Sequence, residues 1–514
     1  MPISQSLQVY KLVKSLNKSE KRNFRLHAGR IRDSEELLYI KLFDILEGQK
    51  KFDENDILKK MKDITSTQYS NVKRHLYSQI LISLRHLYKE KKAHIKIREY
   101  IDMAHILYNK GLYMEALKIL DKAKKVSFKN HTDFSSLTIV EIEKMIQSRH
   151  ITRTNTASIE ALVEQATEIS QSVHNRASLS NLKVLLHRYY IKKGHVTNAV
   201  KEKELEEFFT QSLNQNIPLD EMGMIEKVNL NQCYVWYHYI RGDFENCYIY
   251  AIKWIELFEN SKEMMARDVD LYMRGFHYVL TSAFNTKQLD GYRIHLKKLE
   301  DFRSSYYSGF NANSKIFSFL YVHTGRLNLH FLQGTFDEGV KIIPRTISRI
   351  KRYQANLDEH KIMIIYYKIA YMYLGNGNYK KSNQYLLNII NLTNKTLRKD
   401  IQIYARLMHL MVHYDLGSWD ILPYLLKRYG SYLSNHSEEN QMVKMVLALF
   451  KKLHSTPLLE RKAIMQSYLE QFEDLKTKKS SQKGFLYIDI IPWLQSKLYD
   501  KSIGQIIQES LHTK

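Results

Sequence analysis

The chain of 514 residues holds only six prolines, 18 glycines and two cysteines. Average usage would give roughly 7% glycine and 5% proline, so both turn-formers are scarce. Sheet-rich folds need frequent tight turns, so the shortage argues against them and for long helices. Two cysteines cannot build a disulfide framework, and they suit a reducing compartment. No apolar run approaches the roughly 18 residues that span a bilayer. The N-terminal stretch "MPISQSLQVYKLVKSL" lacks the continuous apolar centre of a secretory leader. The expectation is a cytoplasmic protein with no membrane span. Acidic residues are also in deficit, 54 against 78 Lys and Arg, for a formal net charge of +24. That balance favours acidic partners such as nucleic acid, acidic proteins or anionic surfaces. An AT-rich genome would give the same richness in Lys, Asn and Tyr without any function. The excess is uneven: residues 1–100 carry 22 basic and 12 acidic groups, residues 201–250 carry 4 and 9.

What is abundant is apolar and aromatic: 44% hydrophobic and 12% Phe, Trp and Tyr, enough for a large core. These residues recur with a period. In "YIDMAHILYNKGLYMEALKILDKAKKV", Tyr100, Ala104 and Leu107 precede Gly111, and Tyr113, Ala116, Leu117, Leu120 and Ala123 follow it. Spacings of three and four mark one face of each of two helices, with the glycine between them. The pattern returns around Gly377, with Tyr366, Ala370 and Tyr373 before it and Tyr379, Ser382, Leu386 and Ile389 after. Weaker copies surround Gly194, Gly242, Gly334 and Gly417, with further degenerate ones near Leu289–Tyr292–Leu296 and around residues 140–172. Each unit takes about 40–48 residues, against the 34 of the best-known helix-pair repeat. "YLGNGNYKKS" is therefore expected to be a hairpin turn. A phosphate loop would need a strand before it and Gly-Lys-Ser/Thr after it.

These residues resemble the tetratricopeptide repeat, closely in "YNKGLYMEALKILDKA" and "YLGNGNYKKSNQYL" and weakly over the rest of residues 96–475. The resemblance implies an all-α fold, a TPR-like α-α superhelix (solenoid), with its first helices lining a concave groove that binds a protein or peptide. Residues 1–95 fall outside the repeat and are expected to form an N-terminal helical bundle. Helices there are expected near 5–16, 19–29, 34–48, 53–61 and 66–93, capped by Ser19, Ser34, Asp53 and Thr65 or Ser66. Residues 476–514 are expected to give a loop and a C-terminal capping helix. Within them "YIDII" before Pro492 reads as a short strand or a helix start.

Two function classes compete. In the first, a non-enzymatic scaffold holds a peptide through Arg188, Asn229, Gln232, Trp236, Tyr239, Asn328, Phe331, Tyr371 and Tyr404, placed on the groove by the resemblance. Asparagine amides can hold an extended backbone from both sides, and Trp and Tyr give rigid contact area. In the second, the N-terminal bundle is a candidate helix-turn-helix whose last helix reads DNA with Lys73, Arg74, Arg85 and Lys89, or it meets a signalling protein. That arrangement loosely resembles peptide-sensing bacterial regulators. No residue set suggests catalysis, a metal or a cofactor. His409 and His413 have zinc-protease spacing but lack the Glu after the first His. Cys247 fills a small-residue packing slot. Partner identity and oligomeric state stay open.

Overall fold

The structure, a computed structural model, describes residues 5–29, 34–61, 64–150, 156–196, 199–213, 219–354, 357–392, 398–434, 441–478 and 482–512. Among the described residues every regular element is helical and no strand occurs, so the protein is all-α. None of these helices is long and apolar enough to cross a membrane. The chain divides into two compact units, Met1–His174 and Asn175–Lys514.

The first unit opens with α1 (Gln5–Ser15), α2 (Lys18–Ala28), α3 (Ser34–Gly48), α4 (Glu54–Lys60) and α5 (Ser66–Tyr88). They share one core in which Val13, Phe24, Tyr39, Phe43, Leu76 and Ile80 are almost fully buried. α2 starts one residue earlier than expected because its cap is Asn17, not Ser19. The Asn17 side chain accepts from the Glu20 N–H (3.0 Å) while Glu20 accepts from the Asn17 N–H (2.7 Å), a reciprocal box that fixes the entry. Asp53 and Thr65 cap α4 and α5 as expected. Any capping by Ser34 lies outside the described residues. α5 stops at Tyr88, short of residue 93, because the Lys91 and Lys92 N–H groups both turn back onto the Tyr88 carbonyl. α6 (Ala93–Asn109), α7 (Tyr113–Lys129) and α8 (Asp133–Arg149) then build a second core around Ala104, Ala116, Leu120, Ala123 and Ile139. The small residues read from the pattern are those on which α6 and α7 meet. The division between units falls inside α9 (Thr156–Lys193).

The second unit continues with α10 (Ala199–Ser212), α11 (Met224–Arg241), α12 (Phe244–Glu259), α13 (Lys262–Arg267), α14 (Val269–Asn285), α15 (Leu289–Tyr306), α16 (Ala312–Gln333) and α17 (Phe336–Tyr353). It goes on through α18 (Glu359–Gly375), α19 (Tyr379–Ile390), α20 (Lys399–Asp415), α21 (Leu422–Ser434), α22 (Gln441–Ser455) and α23 (Arg461–Thr477). It ends with α24 (Gln482–Phe485), α25 (Ile491–Leu498) and α26 (Ile503–His512). Most helices pack on the next one, and the alternate helices α12, α14, α16, α18 and α20 pack also on the next but one.

One turn recurs between paired helices. At Gly377 (φ 78°) the Gly377 N–H reaches the Leu374 carbonyl (3.1 Å) and the Asn378 N–H the Tyr373 carbonyl (2.9 Å). This is the double bond of a left-handed helix end. It consumes the amides a phosphate loop would offer, so the stretch is the expected hairpin turn. Gly111, Gly242 and Gly417 repeat both bonds, and so do His131 and Lys287, which carry positive φ without being glycine. The same place two residues on is aromatic at Tyr113, Phe244, Phe336, Tyr379 and Trp419.

The C-terminal segment departs from a simple terminal cap. Pro492 sits in the first turn of α25, so "YIDII" leads irregularly into a helix and forms no strand. α25 packs on α23, whereas α26 returns to the much earlier α16. There the backbones of Gly504 and Gly334 touch: a Cβ on either would stand 2.5 Å from the other's carbonyl oxygen.

Candidate ligand-binding face

In the first unit Lys73, Arg74 and Arg85 of α5 and Lys89 just after it do not form one free surface. Lys73 is buried, donates to Ser6 Oγ (2.7 Å), and lies 3.6 Å from Glu54 and 4.1 Å above the Tyr69 ring. Arg85 stands 3.7 Å from Asp102 and Lys89 3.5 Å from Glu99. Arg74 is exposed.

In the second unit the hairpin register places side chains in equivalent rows. Asn229, Arg274, Tyr321 and Tyr404 hold the same position before the left-handed residues Gly242, Lys287, Gly334 and Gly417. Trp236, Asn328 and Tyr371 share a second position, and Tyr239 and Phe331 a third. These residues meet across helices. Trp236 packs against His187, Tyr190, Tyr239 and Tyr278 at ring separations of 4.9 to 5.7 Å. Phe331 meets Tyr371 edge-on at 5.0 Å. Burial drives the phenol of Tyr239 well above its ordinary value. Two expected residues stand apart. Gln232 is buried and donates to the Val228 carbonyl of its own helix (3.3 Å). Arg188 is exposed and lies outside these contacts.

The chain itself covers one end of the face. Residues 486–490 are non-helical. The Tyr487 ring stacks on Tyr404 at 4.5 Å with planes 7° apart, and its carbonyl accepts from the Tyr367 hydroxyl (3.1 Å). Asp489 pairs with Lys476 (2.5 Å) and stands 3.9 Å from Lys287. Burial first, then the neighbouring Tyr190, Asp400 and Tyr239, holds the Tyr487 phenol far above the usual range. Beside it Arg398 and Asp400 form a closed pair at 2.6 Å.

The other end carries cations that sequence reading missed: Lys183 on α9, Arg274 on α14, and Lys361 and Lys368 on α18. Lys183 Nζ donates to Asn229 Oδ1 (3.1 Å) and Lys368 Nζ to Asn328 Oδ1 (2.7 Å). Lys361 lies 4.7 Å over the Phe317 ring, and the charge of Arg274 acts on the Tyr321 phenol. Among the described residues no carboxylate reaches ion-pair distance of any of the four. Burial lowers Lys368 to about 8. Burial, then the charges of Arg274, Lys368 and Lys361, lowers His277 to about 4. Burial also lowers Lys183 and His187, with Arg274 adding to the effect on each. For Arg274 and His277 the missed signal was Lys287, whereas Lys183, Lys361 and Lys368 precede the glycine-marked turns at Gly194 and Gly377. A left-handed residue that is not glycine hid the register of α14, and with it Arg274 and His277.

The remaining candidates are packing groups. His409 engages both ring nitrogens, Nε2 with Asn383 Oδ1 (2.7 Å) and Nδ1 with the Tyr429 hydroxyl (3.0 Å). Cys233 and Cys247 are buried free thiols, each pushed by burial to about 12. The face presents side-chain donors and aromatic rings. The chain matches no protein-family model and no curated protein.

Proposed function

We propose that the second unit is a non-enzymatic binding module, a divergent relative of the tetratricopeptide repeats, that holds a peptide or protein segment along this face. One observation carries the reading. The face already holds an irregular stretch of polypeptide, its own residues 486–490, by a side-chain bond from Tyr367 to a backbone carbonyl and a ring stacked on Tyr404. These are the elements by which helical surfaces grip an external segment. Tyr404 is covered by Tyr487, and Asn229, Asn328 and Phe331 are buried, the two asparagines bonded to Lys183 and Lys368, so the part-exposed contact set is Trp236, Tyr239 and Tyr371. The nucleic-acid reading of α5 has no comparable support, with Lys73 buried and Arg85 and Lys89 beside carboxylates.

Selection of a displayed random-peptide library on the full chain tests the proposal. Peptides with a shared motif should be retained by the native chain and lost on Trp236→Ala. Peptides retained equally by that variant would refute the assignment of the site.

A further inference from the structure

We infer that the solvent side of α17, with the adjoining ends of α15 and α16, is a docking surface for single-stranded nucleic acid. Lys341, Arg345, Arg349 and Arg352 recur along α17 at spacings of four, four and three. Such spacing puts them on one helix face, away from Ile343, Thr346 and Ile350, which are buried. Two more cations join that face near its C-terminal end. Tyr353 packs on Phe319 of α16 at 5.7 Å. One turn before Phe319, Lys315 stands 5.6 Å from the Tyr307 ring, and Arg303 of α15 stands 5.4 Å from the same ring. Arg352 in turn lies 5.9 Å from the Tyr353 ring. The bond between His323 and Thr346 Oγ1 (2.9 Å) holds α16 and α17 in this register.

The neighbouring acids are engaged elsewhere. Glu300 pairs with Arg326 (2.6 Å), Asp301 with Lys297 (2.9 Å), Glu338 with Lys341 (2.5 Å) and Asp358 with His360 (3.0 Å). Among the described residues no carboxylate reaches ion-pair distance of Arg303, Lys315, Arg345, Arg349 or Arg352. Each of the five is at least partly exposed. A surface charged with one sign draws a polyanion, and three features choose among polyanions. Four of the five cations are arginines, whose planar fork fits phosphate oxygens. Two part-exposed rings, Tyr307 and Tyr353, stand among them, and unpaired bases stack on such rings. The large apolar side chains exposed among the described residues include none between 295 and 386. A stable protein interface has an apolar centre, and a helix lying in a membrane surface inserts apolar side chains; nucleic acid needs neither. None of these residues belongs to the peptide contact set, so the inference goes beyond that reading and does not rest on it.

Fluorescence anisotropy of labelled oligothymidylate and oligouridylate, titrated with the full chain over a range of salt, tests it. Saturable binding is expected, with a log–log salt slope of about −3.5 when all five cations meet phosphates at about −0.7 each. Arg345→Gln with Arg349→Gln should weaken binding about tenfold or more and make the slope shallower by about 1.4. Arg345→Gln alone changes an exposed side chain, so it keeps the test valid if the pair disturbs folding; its slope should be shallower by about 0.7. Lys427→Gln, exposed on α21, should bind as the native chain does. Absent binding, or a slope untouched by the α17 variants, overturns the proposal. So does an equal loss on Arg74→Gln, which would move the binding to α5, and so does duplex DNA bound as tightly as the single strand. Release of the oligonucleotide by polyglutamate would assign the surface to an acidic protein, and release by phosphatidylglycerol vesicles to a membrane, and either overturns it too. Failure here leaves the peptide-selection result untouched, since the two sites share no residue.

Discussion

Replacing Lys368 by methionine should stabilise the protein at neutral pH. Lys368 sits between the Phe284 and Phe331 rings, 5.6 and 5.8 Å from their centres, and its one polar partner is Asn328. Burial lowers its pKa from 10.5 to about 8, and that difference corresponds to about 3 kcal/mol held against the charged form. Part of the side chain stays exposed, which reduces the penalty. Losing the bond to Asn328 costs about 1 kcal/mol more. Methionine fills the same apolar slot without a charge, so the net gain at pH 7 should be about 1–2 kcal/mol. The sign follows from proton uptake. Below pH 8 both folded and unfolded chains hold the Lys368 proton, and the full penalty applies. Between pH 8 and 10.5 the unfolded chain holds more protons than the folded one, so native stability rises with pH. The advantage of the variant should therefore shrink by about 1–2 kcal/mol between pH 7 and 9.5. Urea unfolding of both proteins at the two pH values measures this. A variant less stable by the same amount at both would mean that Lys368 is a satisfied charge, and the reasoning would fail.

Gly504→Ala should destabilise by at least about 1–3 kcal/mol, because its Cβ would stand 2.5 Å from the backbone oxygen of Gly334, which no side-chain rotation relieves. Gly430→Ala, within α21 and with nothing inside 4 Å of the new Cβ, should stabilise by about 0.5–1 kcal/mol; equal effects in urea unfolding would contradict the close approach of α26 to α16. Cys233 and Cys247 should react with a thiol reagent only as fast as the second unit opens, and immediate labelling of either in native buffer would refute their burial. Burial holds His409 neutral to about pH 3, so its contribution is complete above pH 6.5 and is lost as the pH falls, when the unfolded chain takes up the proton first. His409→Asn should flatten the fall in stability between pH 6 and 4 by about 1.4 kcal/mol per pH unit, and an unchanged slope would argue that the imidazole is already charged in the fold.

The helices were legible because the sequence states them twice, in apolar spacing and in what interrupts it. Gly377 and Gly111 announce left-handed ends, and Ala104, Ala116 and Ala123 announce close helix contacts. Where the left-handed residue is His131 or Lys287 the turn is the same but its chemical marker is gone, since an ordinary side chain can take that conformation at a modest cost. Legibility of the face stopped there as well. Asn229, Trp236, Asn328 and Tyr371 were found from glycine-marked hairpins, and Arg274 was not. Tyr404 was legible as a row position, but its occupant was not. Tyr487 lies far along the chain, and nothing in local periodicity says where a segment of irregular backbone will return. Lys73 failed for the opposite reason: its basic neighbours suggest a surface, while Ser6, Glu54 and Tyr69 draw it inward.

The two ends of the face follow one physical rule. At the Tyr404 end every charge has an opposite within reach: Arg398 has Asp400, and Asp489 has Lys476. A paired, ring-covered region gains little from a further ligand, and residues 486–490 give it a fixed occupant. At the Lys368 end the asparagines orient ammoniums but cannot neutralise them, since an amide oxygen offers a dipole where an anion offers a charge. Asp489, the one acid of residues 486–490, pairs with Lys476 and stands 3.9 Å from Lys287. One end of the surface is thus satisfied internally, and in the binding reading proposed above it is the other end that would gain free energy from a ligand.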